Sequence, residues 1–420
     1  MKTIPLFNFT VFILIFGFVI GKILMQLFGL PNITSYIRDF SILVLFINFI
    51  VTQKHTFKLS TSIFAALFAL FFCFTYLITS FEQGKIIIGL YYLRIYVLPM
   101  IFFVVAWKIV CRFDTNRLKI FLLTILRWNL TANLLSILIY TLLLSVPSFA
   151  LLFLGKEEVA SNWRIAGANI YRAGFPQGDP NQLGLYQAIN ICLMFFIMLK
   201  KIDVGIRPAF IKILLLLDVI ILFLSFSRSS MVFLITCVCV ILMFRFSRIV
   251  KSVLLYSLVL LLVLISSALV TNKVTDGKLT TWIMMNITMD DPSIGGHTNT
   301  IYDAVQAVDQ YILFGYERGT VGPKAELFTD TIINVENSVL ILLFDMGIFG
   351  LLIYITIYGL LILPFVRNIY QTALLVAFIV NIQFLPSIFS IEIVMYFFAV
   401  FVITANFLKL ENNHFPKAIS

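Results

Sequence analysis

The amino-acid sequence predicts an all-α integral membrane protein with about 12 transmembrane helices, in a range of roughly 10 to 13. Hydrophobic residues make up 61% of the 420 residues and charged residues only 12%, which is more apolar than a soluble core requires. Apolar runs of about 20 residues, the length that crosses a bilayer as a helix, recur from end to end. Residues 1–420 are therefore predicted to form a single polytopic membrane domain.

The predicted spans follow one another along the chain, and three of them have unusual features. Lys2 precedes the first apolar run, but no small-residue cleavage site follows, which favours a first span over a signal peptide. The second span is short, and the fifth continues through Pro147 to Leu154, which favours a kink followed by an interfacial helix. The predicted spans are 5–21, 39–52, 61–80, 86–107, 120–146, 181–199, 211–226, 229–244, 251–271, 335–363, 371–386 and 391–408.

The distribution of positive charge predicts the orientation in the membrane. With the N-terminus inside, the short inside loops hold more of the 30 Lys and Arg than the outside loops do. Most of the outside ones fall in two long segments, 155–180 and 272–334, and long loops influence orientation little. Both termini are therefore predicted to be cytoplasmic, and the two long loops to face the outer side of the membrane. The net charge of +10 then reflects membrane orientation rather than nucleic-acid binding.

The sequence contains no pattern typical of a metal site, a nucleotide site or a disulfide framework. None of the 5 Cys lies in a predicted outer loop, and no Cys/His cluster has the spacing of metal ligands. No P-loop, GxSxG motif or dinucleotide-binding fingerprint occurs in the chain. ATP-driven chemistry within this chain is therefore not expected.

The first long outer loop carries two arginines and a helix-entry motif. Asp179 or Asn181, in the sequence GDPN, can cap the free amides of the sixth span, and capping alone would explain this motif. Capping does not explain Arg164 and Arg172, because positive charge is not needed there for orientation. Guanidinium groups bind phosphate oxygens bidentately, so both arginines are candidate ligands of an anionic substrate. Solvation at a protein surface is the alternative interpretation.

A second polar stretch, SFSRSS, separates the seventh and eighth spans with almost no loop. This places Arg228 at the outer membrane surface. One interpretation is a tight turn between helices with a snorkelling arginine. The other is that Arg228 faces an anionic lipid headgroup, with the serine hydroxyls and the following helix N-terminus as further donors.

The second long outer loop combines aromatic, glycine and basic residues. His297 lies in its first half, and Gly315, Tyr316 and Arg318 follow in the sequence FGYERGTVGPK. Glycine allows close backbone approach, and a tyrosine ring can stack on a sugar. A plain solvated loop is the alternative, although loops longer than about 15 residues usually carry function.

The sequence ENSVLILLFDMGIFG follows this loop directly. Glu336 and Asn337 stand at the mouth of the apolar run and are candidate site residues. Asp345 is separated from Glu336 by nine residues, about 900° of helix, and is therefore expected on the opposite face. Gly347 and Gly350 are expected to share a face that suits close helix packing.

Arg94 lies within the fourth predicted span, about eight residues or roughly 12 Å below the outer surface. An arginine at that depth is unfavourable unless it faces a water-filled cavity or a partner. Arg94 is therefore a candidate site residue. Arg127 lies at a similar depth from the inner side, and is a weaker candidate for chemistry at the outer face.

Four motifs occur in an order that resembles the O-antigen polymerase and ligase superfamily, the Wzy-like proteins. They are YRAGFPQGDPNQLGLY, SFSRSS, FGYERG and ENSVLILLFDMGIFG. Members have a dozen or so spans and a large outer loop between late spans. Their patterns are a Gly…Asp-Pro-Asn turn, a Ser-Arg-Ser turn, a Gly-x-Gly turn, and His-Asn or Glu-Asn leading to an acid and Gly-x-x-Gly. The resemblance covers about residues 164–363.

The resemblance implies glycosyl transfer at the periplasmic face of the bacterial inner membrane. The donor would be a growing glycan on undecaprenyl pyrophosphate, and the acceptor one repeat unit on the same lipid. Inverting, metal-independent transfer without a cofactor is implied, with a chain-length regulator and a flippase as partners. Glu336 is the first candidate for the base that deprotonates the acceptor hydroxyl, and His297 is the second. The candidate ligands of the pyrophosphate and sugars are Arg94, Arg164, Arg172, Arg228, Arg318, Asn181, Tyr316 and Asn337.

Two other functions stay open at this point. Ligase-type members usually carry His before the Asn, so Glu336 favours a polymerase over a ligase that transfers the glycan to the lipid A core. A polysaccharide transporter or flippase should place charges near the membrane midplane, in interrupted spans of repeated halves. The polar residues here collect instead on the predicted outer face.

Overall fold

The computed structural model of the chain describes residues 3–29, 33–52, 71–73, 76–77, 80, 86–146, 171–245, 313, 315, 337–363, 366, 368–382 and 390–414. The regular elements within these ranges are α-helices, as predicted. They are α1 (Thr3–Phe28), α2 (Ile33–Thr52), α3 (Ile86–Val110), α4 (Thr115–Ser145), α5 (Pro180–Leu199), α6 (Pro208–Leu224), α7 (Arg228–Arg245), α8 (Ser338–Ile362), α9 (Ile369–Asn381) and α10 (Ile391–His414).

The helices agree with an integral membrane protein. Among the described elements, the seven helices α1, α2, α3, α4, α5, α8 and α10 are long and apolar enough to cross a membrane. The helices α7 and α9 are shorter and also apolar. Each described helix overlaps one predicted span, whereas the predicted span 251–271 lies outside the described residues. The total of twelve spans and the cytoplasmic position of both termini stay predictions.

Helix α10 lies at the centre of the bundle. It packs against α1, α3, α4, α5 and α9. Within the protein, 94% of its apolar span is buried, compared with 33% for α2. Helix α10 is therefore shielded from lipid, while α2 presents most of its surface to the membrane.

Contacts between helix termini define one end of the bundle, which we call the motif end. The N-terminal halves of α2, α3 and α10 are joined there by ion pairs. Ser225, which follows the end of α6, packs against Gly184 near the start of α5, and the starts of α7 and α8 contact the end of α9. This alternation of starts and ends is what consecutive membrane crossings produce.

The segment 171–179 enters the bundle at the motif end instead of lying on its surface. The hydroxyl of Ser136 in α4 donates to the carbonyl of Phe175. The Gln177 side-chain amide donates to the Ile15 carbonyl of α1, with an N–O distance of 3.3 Å. Non-helical backbone at membrane depth requires such burial against protein, because lipid offers no hydrogen-bond partners.

Two predicted helix boundaries on the N-terminal side were wrong. Helix α2 begins at Ile33, six residues before the predicted span, so Arg38 lies inside a helix rather than in an outer loop. Helix α1 extends to Phe28 and includes Lys22, which was also assigned to a loop. Polar residues at these helix ends lower the local hydropathy, so the predicted spans were too short. Interaction partners of these residues inside the bundle allow the helices to continue.

Helix α8 is broken at Gly347, which has φ 66° and ψ −175°. The expected shared face of Gly347 and Gly350 assumed a continuous helix, and is wrong for that reason. Gly315 packs against the backbone beside this break: it has φ +86°, and a Cβ there would lie 2.7 Å from the carbonyl oxygen of Phe344. The predicted close backbone approach at Gly315 is confirmed.

Candidate functional site

Helix α5 begins with the cap that the GDPN sequence predicts. The Asp179 carboxylate accepts from the backbone N–H groups of Asn181 and Gln182, at 2.7 and 3.1 Å. Pro180 occupies the first helical turn, where a missing N–H has no consequence. Asp179 is therefore the capping residue, which leaves the Asn181 side chain available for another contact.

Arg172 uses its guanidinium to join the 171–179 segment to the end of α6. Its Nε donates to the Ser225 carbonyl at 2.9 Å, and its Nη2 donates to Asn181 Oδ1 at 2.7 Å. Burial lowers the pKa of Arg172, whereas the nearby Asp179 raises it and Arg228 lowers it. Arg172 thus places a cation at the carboxyl end of a helix, where the helix dipole favours it.

The turn formed by residues 225–230 packs directly on α5. Its serines contact Gly184: a Cβ at that glycine would lie 2.6 Å from the Cβ of Ser227. Ser227 and Ser230 are joined through their hydroxyls at 2.6 Å. Phe226 adopts φ 49°, an unusual value for a bulky residue, so the turn is held in a strained conformation by its surroundings.

The same turn connects to α9 and through it to α8. The Asn381 side chain donates to the Ser229 carbonyl at 3.0 Å, and the Ser338 N–H donates to the Ile382 carbonyl at 3.0 Å. Asn337 caps α8 by accepting from two backbone N–H groups at 2.9 and 3.1 Å. A continuous set of contacts therefore links three of the sequence motifs. We call this set the motif cluster: Arg172, Asn181, the 225–230 turn, Asn337, Ser338, Asn381 and Ile382.

Arg228 is the first residue of α7 and its side chain is exposed beside the motif cluster. Its charge acts on Arg172, whose pKa it lowers. The two guanidiniums therefore interact electrostatically, and positive charge at a protein surface attracts anions.

Arg94 has a carboxylate partner that sequence reasoning missed. Its Nη1 lies 3.0 Å from Asp39 Oδ2, and its guanidinium stands 4.7 Å from the centre of the Tyr91 ring. Arg38 pairs with the same Asp39 at 2.6 Å and also with Glu392. We call Arg38, Asp39, Arg94 and Glu392 the ion-pair cluster. The expectation that Arg94 needs a partner or a cavity is met by Asp39.

Asp345 lies next to the break in α8 and is buried. The hydroxyls of Tyr76 and Tyr96 each donate to its Oδ2 at 2.7 Å. The Gly347 break and the close contact of Gly315 lie beside it. Asp345 thereby joins α8 to α3 and to the described part of the third predicted span.

Five of the predicted site residues lie outside the described residues. They are Glu336, His297, Arg164, Arg318 and Tyr316. Their roles, and the expected separation of Glu336 from Asp345, stay predictions. Arg172, Arg228, Asn181 and Asn337 come together in the motif cluster, whereas Arg94 belongs to the ion-pair cluster.

Residues 213–355 match the model of a protein family described as O-antigen ligase. This match supports the O-antigen polymerase and ligase superfamily. The matched segment contains the 225–230 turn, Asn337 and Asp345, and falls within the region of the predicted resemblance. Arg172, Asn181 and Arg94 precede it. No curated protein and no solved structure matches the chain.

The motif cluster supplies hydrogen-bond donors and positive charge. Within the part of the chain that the structure describes, no group of three His, Cys, Asp or Glu side chains could hold a metal ion. Guanidinium groups stabilise the negative charge of a phosphate group directly. The described part of the motif cluster is suited to binding an anion beside a helix N-terminus.

Proposed function

We propose that the protein is an O-antigen polymerase that lengthens a glycan carried on undecaprenyl pyrophosphate at the periplasmic face of the inner membrane. The main support is the meeting of Arg172, Asn181, the 225–230 turn and Asn337 at one end of the bundle, within a superfamily member. Glu336 in place of histidine favours a polymerase over a ligase.

The proposed reaction transfers the growing glycan from its lipid pyrophosphate to an acceptor hydroxyl. The acceptor oxygen attacks the anomeric carbon as the bond from that carbon to the pyrophosphate oxygen breaks. The leaving pyrophosphate takes up negative charge, which Arg228 stabilises. Glu336 accepts the proton of the acceptor hydroxyl, with His297 as the second candidate.

Arg172 has a positioning role in this proposal. Its donors are directed to the Ser225 carbonyl and to Asn181, so it fixes the turn that carries Arg228. Sugar contacts are assigned to Tyr316 and Asn337, and Arg164 and Arg318 are further ligands of the pyrophosphate. A chain-length regulator and a flippase are proposed partners on the basis of the superfamily.

Deleting the gene and separating the cell-surface polysaccharide on a gel tests this function. A polymerase defect leaves lipid A core that carries a single repeat unit. Complementation with the wild-type gene restores long chains, whereas Glu336→Gln at equal protein level leaves single units. Long chains with the Glu336→Gln variant would contradict the assigned base.

An O-antigen ligase is the second candidate, because the matched family model is described by that name. A ligase would transfer the completed glycan to lipid A core. The same deletion would then leave core without any repeat unit, while long glycan accumulates on undecaprenyl pyrophosphate. The two outcomes on one gel separate the candidates.

A further inference from the structure

Two residues of the second predicted outer loop contact α8 at its break. Gly347 has φ 66° and ψ −175°, a combination that is essentially limited to glycine. In an unbroken helix, the Phe349 N–H would donate to the Asp345 carbonyl. In this structure the Phe349 N–H donates to the Leu313 carbonyl, with an N–O distance of 3.4 Å. A residue of the outer loop therefore supplies a hydrogen-bond acceptor beside the break.

Gly315 fits against the backbone of α8 at the same place. A Cβ at Gly315 would lie 2.7 Å from the Phe344 carbonyl oxygen and 2.8 Å from the Met346 nitrogen. The φ of +86° at Gly315 also favours glycine. Both features exclude a larger residue at this position. We call the contacts of Leu313 and Gly315 with residues 344–349 the loop seat.

Two tyrosine hydroxyls hold Asp345 in the loop seat. The hydroxyls of Tyr76 and Tyr96 each donate to the same Asp345 oxygen, Oδ2, at 2.7 Å. The ring of Tyr96 also lies 5.7 Å from the ring of Tyr354, in a T-shaped arrangement. Tyr96 therefore contacts α8 on both sides of Gly347, and it fixes the two halves of the helix relative to each other.

The loop seat lies well inside α8 rather than at its end. Asp345 follows Ser338, the first residue of α8, by seven residues, which is about 10 Å along the helix. Non-helical backbone at membrane depth persists only where protein or enclosed water satisfies its polar groups. The contact of Leu313 with the Phe349 N–H meets part of this requirement, so the helix break and the attachment of the loop depend on each other.

We propose that Asp345 is a positioning residue that keeps the break of α8 in the shape that Leu313 and Gly315 require. This inference rests on the proposed function, because the attached loop carries residues that are assigned to the substrate. Arg318 follows Gly315 by three residues, so the two Cα atoms lie within about 11 Å of each other. Asn337 caps the outer half of α8. The loop seat therefore limits the separation of the two segments that carry substrate ligands.

Hydrogen–deuterium exchange of the purified full-length protein in detergent, followed by mass spectrometry, tests the loop seat. Gly315→Ala adds a methyl group for which the seat has no space, so peptides that contain Phe349 should exchange at least about tenfold faster. Gly359→Ala is the matched control in the same helix, because the added Cβ would lie 3.7 Å from Leu363 Cδ1, an ordinary contact distance. The control should leave the exchange around Phe349 unchanged.

Changes at Asp345 test its positioning role. Asp345→Leu removes the acceptor of both tyrosine hydroxyls, so it should accelerate the same exchange and reduce polymer at least about tenfold. Asp345→Asn retains one carbonyl oxygen that can accept from both hydroxyls, and should preserve most of the protection and most of the polymer. An Asn variant as defective as the Leu variant would show that the carboxylate itself is required, which would overturn a positioning role.

The double variant Asp345→Leu with Gly315→Ala distinguishes positioning from a general loss of stability. Both changes act on one set of contacts, so the double variant should lose no more polymer than the more defective single variant. Losses that multiply would overturn the proposal. If Asp345→Leu does not fold, Tyr96→Phe removes one of the two donors and should accelerate exchange around Phe349 by a smaller factor; unchanged exchange in that variant would contradict the role of Asp345.

Unchanged exchange around Phe349 in Gly315→Ala would overturn the loop seat. Faster exchange together with normal polymer in Asp345→Leu would overturn the positioning role. The exchange measurement does not depend on the glycan that the protein makes. The proposed function fails by a different observation, which is lipid A core without any repeat unit after deletion of the gene, so the two failures are distinguishable.

Discussion

The motif cluster and the ion-pair cluster lie at the same end of the bundle, but their arginines have different types of partner. In the ion-pair cluster, the two arginines face two carboxylates, Asp39 and Glu392. In the motif cluster, Arg172 binds uncharged carbonyl and amide oxygens, and Arg228 is exposed. The only carboxylate described as acting on Arg172 is Asp179.

This difference distinguishes arginines whose charge is neutralised inside the protein from arginines whose charge can attract a ligand. A carboxylate cancels the potential of an arginine, whereas a carbonyl oxygen orients the guanidinium and leaves its net charge in place. The four charges of the ion-pair cluster cancel, whereas Arg172 in the motif cluster donates to uncharged oxygens and keeps its net charge. In the proposed function, an anionic lipid pyrophosphate would bind at the motif cluster rather than at the ion-pair cluster.

The largest expected effect is on stability, from Asp39→Ala in the ion-pair cluster. This change leaves Arg38 buried at 3% exposure with one partner fewer and Arg94 without its carboxylate. Removing one partner of a buried ion pair costs about 3–5 kcal/mol. Denaturant unfolding in detergent measures the loss. Asp39→Ala with Arg94→Ala should lose less than the two single changes together, and simple additivity would contradict the coupling.

The next effect distinguishes the two clusters by activity. Arg228→Gln should reduce polymer by about 100-fold, equivalent to about 2.7 kcal/mol of transition-state stabilisation, with little change of Tm. Arg94→Gln should lower the Tm because Asp39 loses a partner, and should reduce polymer less than Arg228→Gln does. Gel analysis of the polysaccharide and Tm measurements on both variants test these two expectations. The opposite ranking would show that the ion-pair cluster holds the substrate.

A smaller effect is expected from Gly184→Ala in the motif cluster. The added methyl group would lie 2.6 Å from Ser227 Cβ and 2.8 Å from the hydroxyl oxygens of Ser225 and Ser230. Displacing a packed turn in this way costs about 1–3 kcal/mol. We expect a lowered Tm together with shorter glycan chains. The matched change is Gly359→Ala in α8, where a Cβ would lie 3.7 Å from Leu363 Cδ1, an ordinary van der Waals contact; a larger effect there would contradict the packing argument.

The smallest effect concerns Asp203, which lies in the loop between α5 and α6. The Gly205 N–H, and then Lys119, lower the pKa of Asp203. Its stabilising contribution is therefore present above the unfolded pKa of about 3.9 and is lost as the pH falls through the lower folded value. Asp203→Asn should lower the Tm slightly at neutral pH, because the neutral amide lacks the charge that Lys119 favours, and this difference should disappear in acid. A difference from the wild type that stays the same or grows below about pH 3 would contradict this assignment.

Local signals in the sequence were sufficient for part of the structure. The hydropathy pattern located the described helices, and the Asp179 cap and the close approach at Gly315 followed from short motifs. Each of these features depends on residues near in sequence or on the properties of glycine. The order of the motifs also predicted the superfamily, which the match over residues 213–355 supports.

Long-range pairing explains what the sequence did not predict. Arg38 was assigned to a loop because its partner Glu392 is 354 positions away. The two residues become partners only when α2 and α10 are packed together. The break at Gly347 was missed because the apolar run continues through it without a proline. In the sequence, the buried ion pair is indicated only by the adjacent Arg38 and Asp39 at the edge of an apolar run.

The central position of α10 has a consequence for how the protein is made. Helices are synthesised in chain order, so α1, α3, α4, α5 and α9 all enter the membrane before the helix around which they pack. During that interval Arg38 has no Glu392, and Asn190 has no Tyr396 hydroxyl to donate to it. The early helices must therefore remain in lipid or beside an insertion factor until α10 enters the membrane. A chain whose synthesis stops before Ile391 lacks the helix against which the others pack.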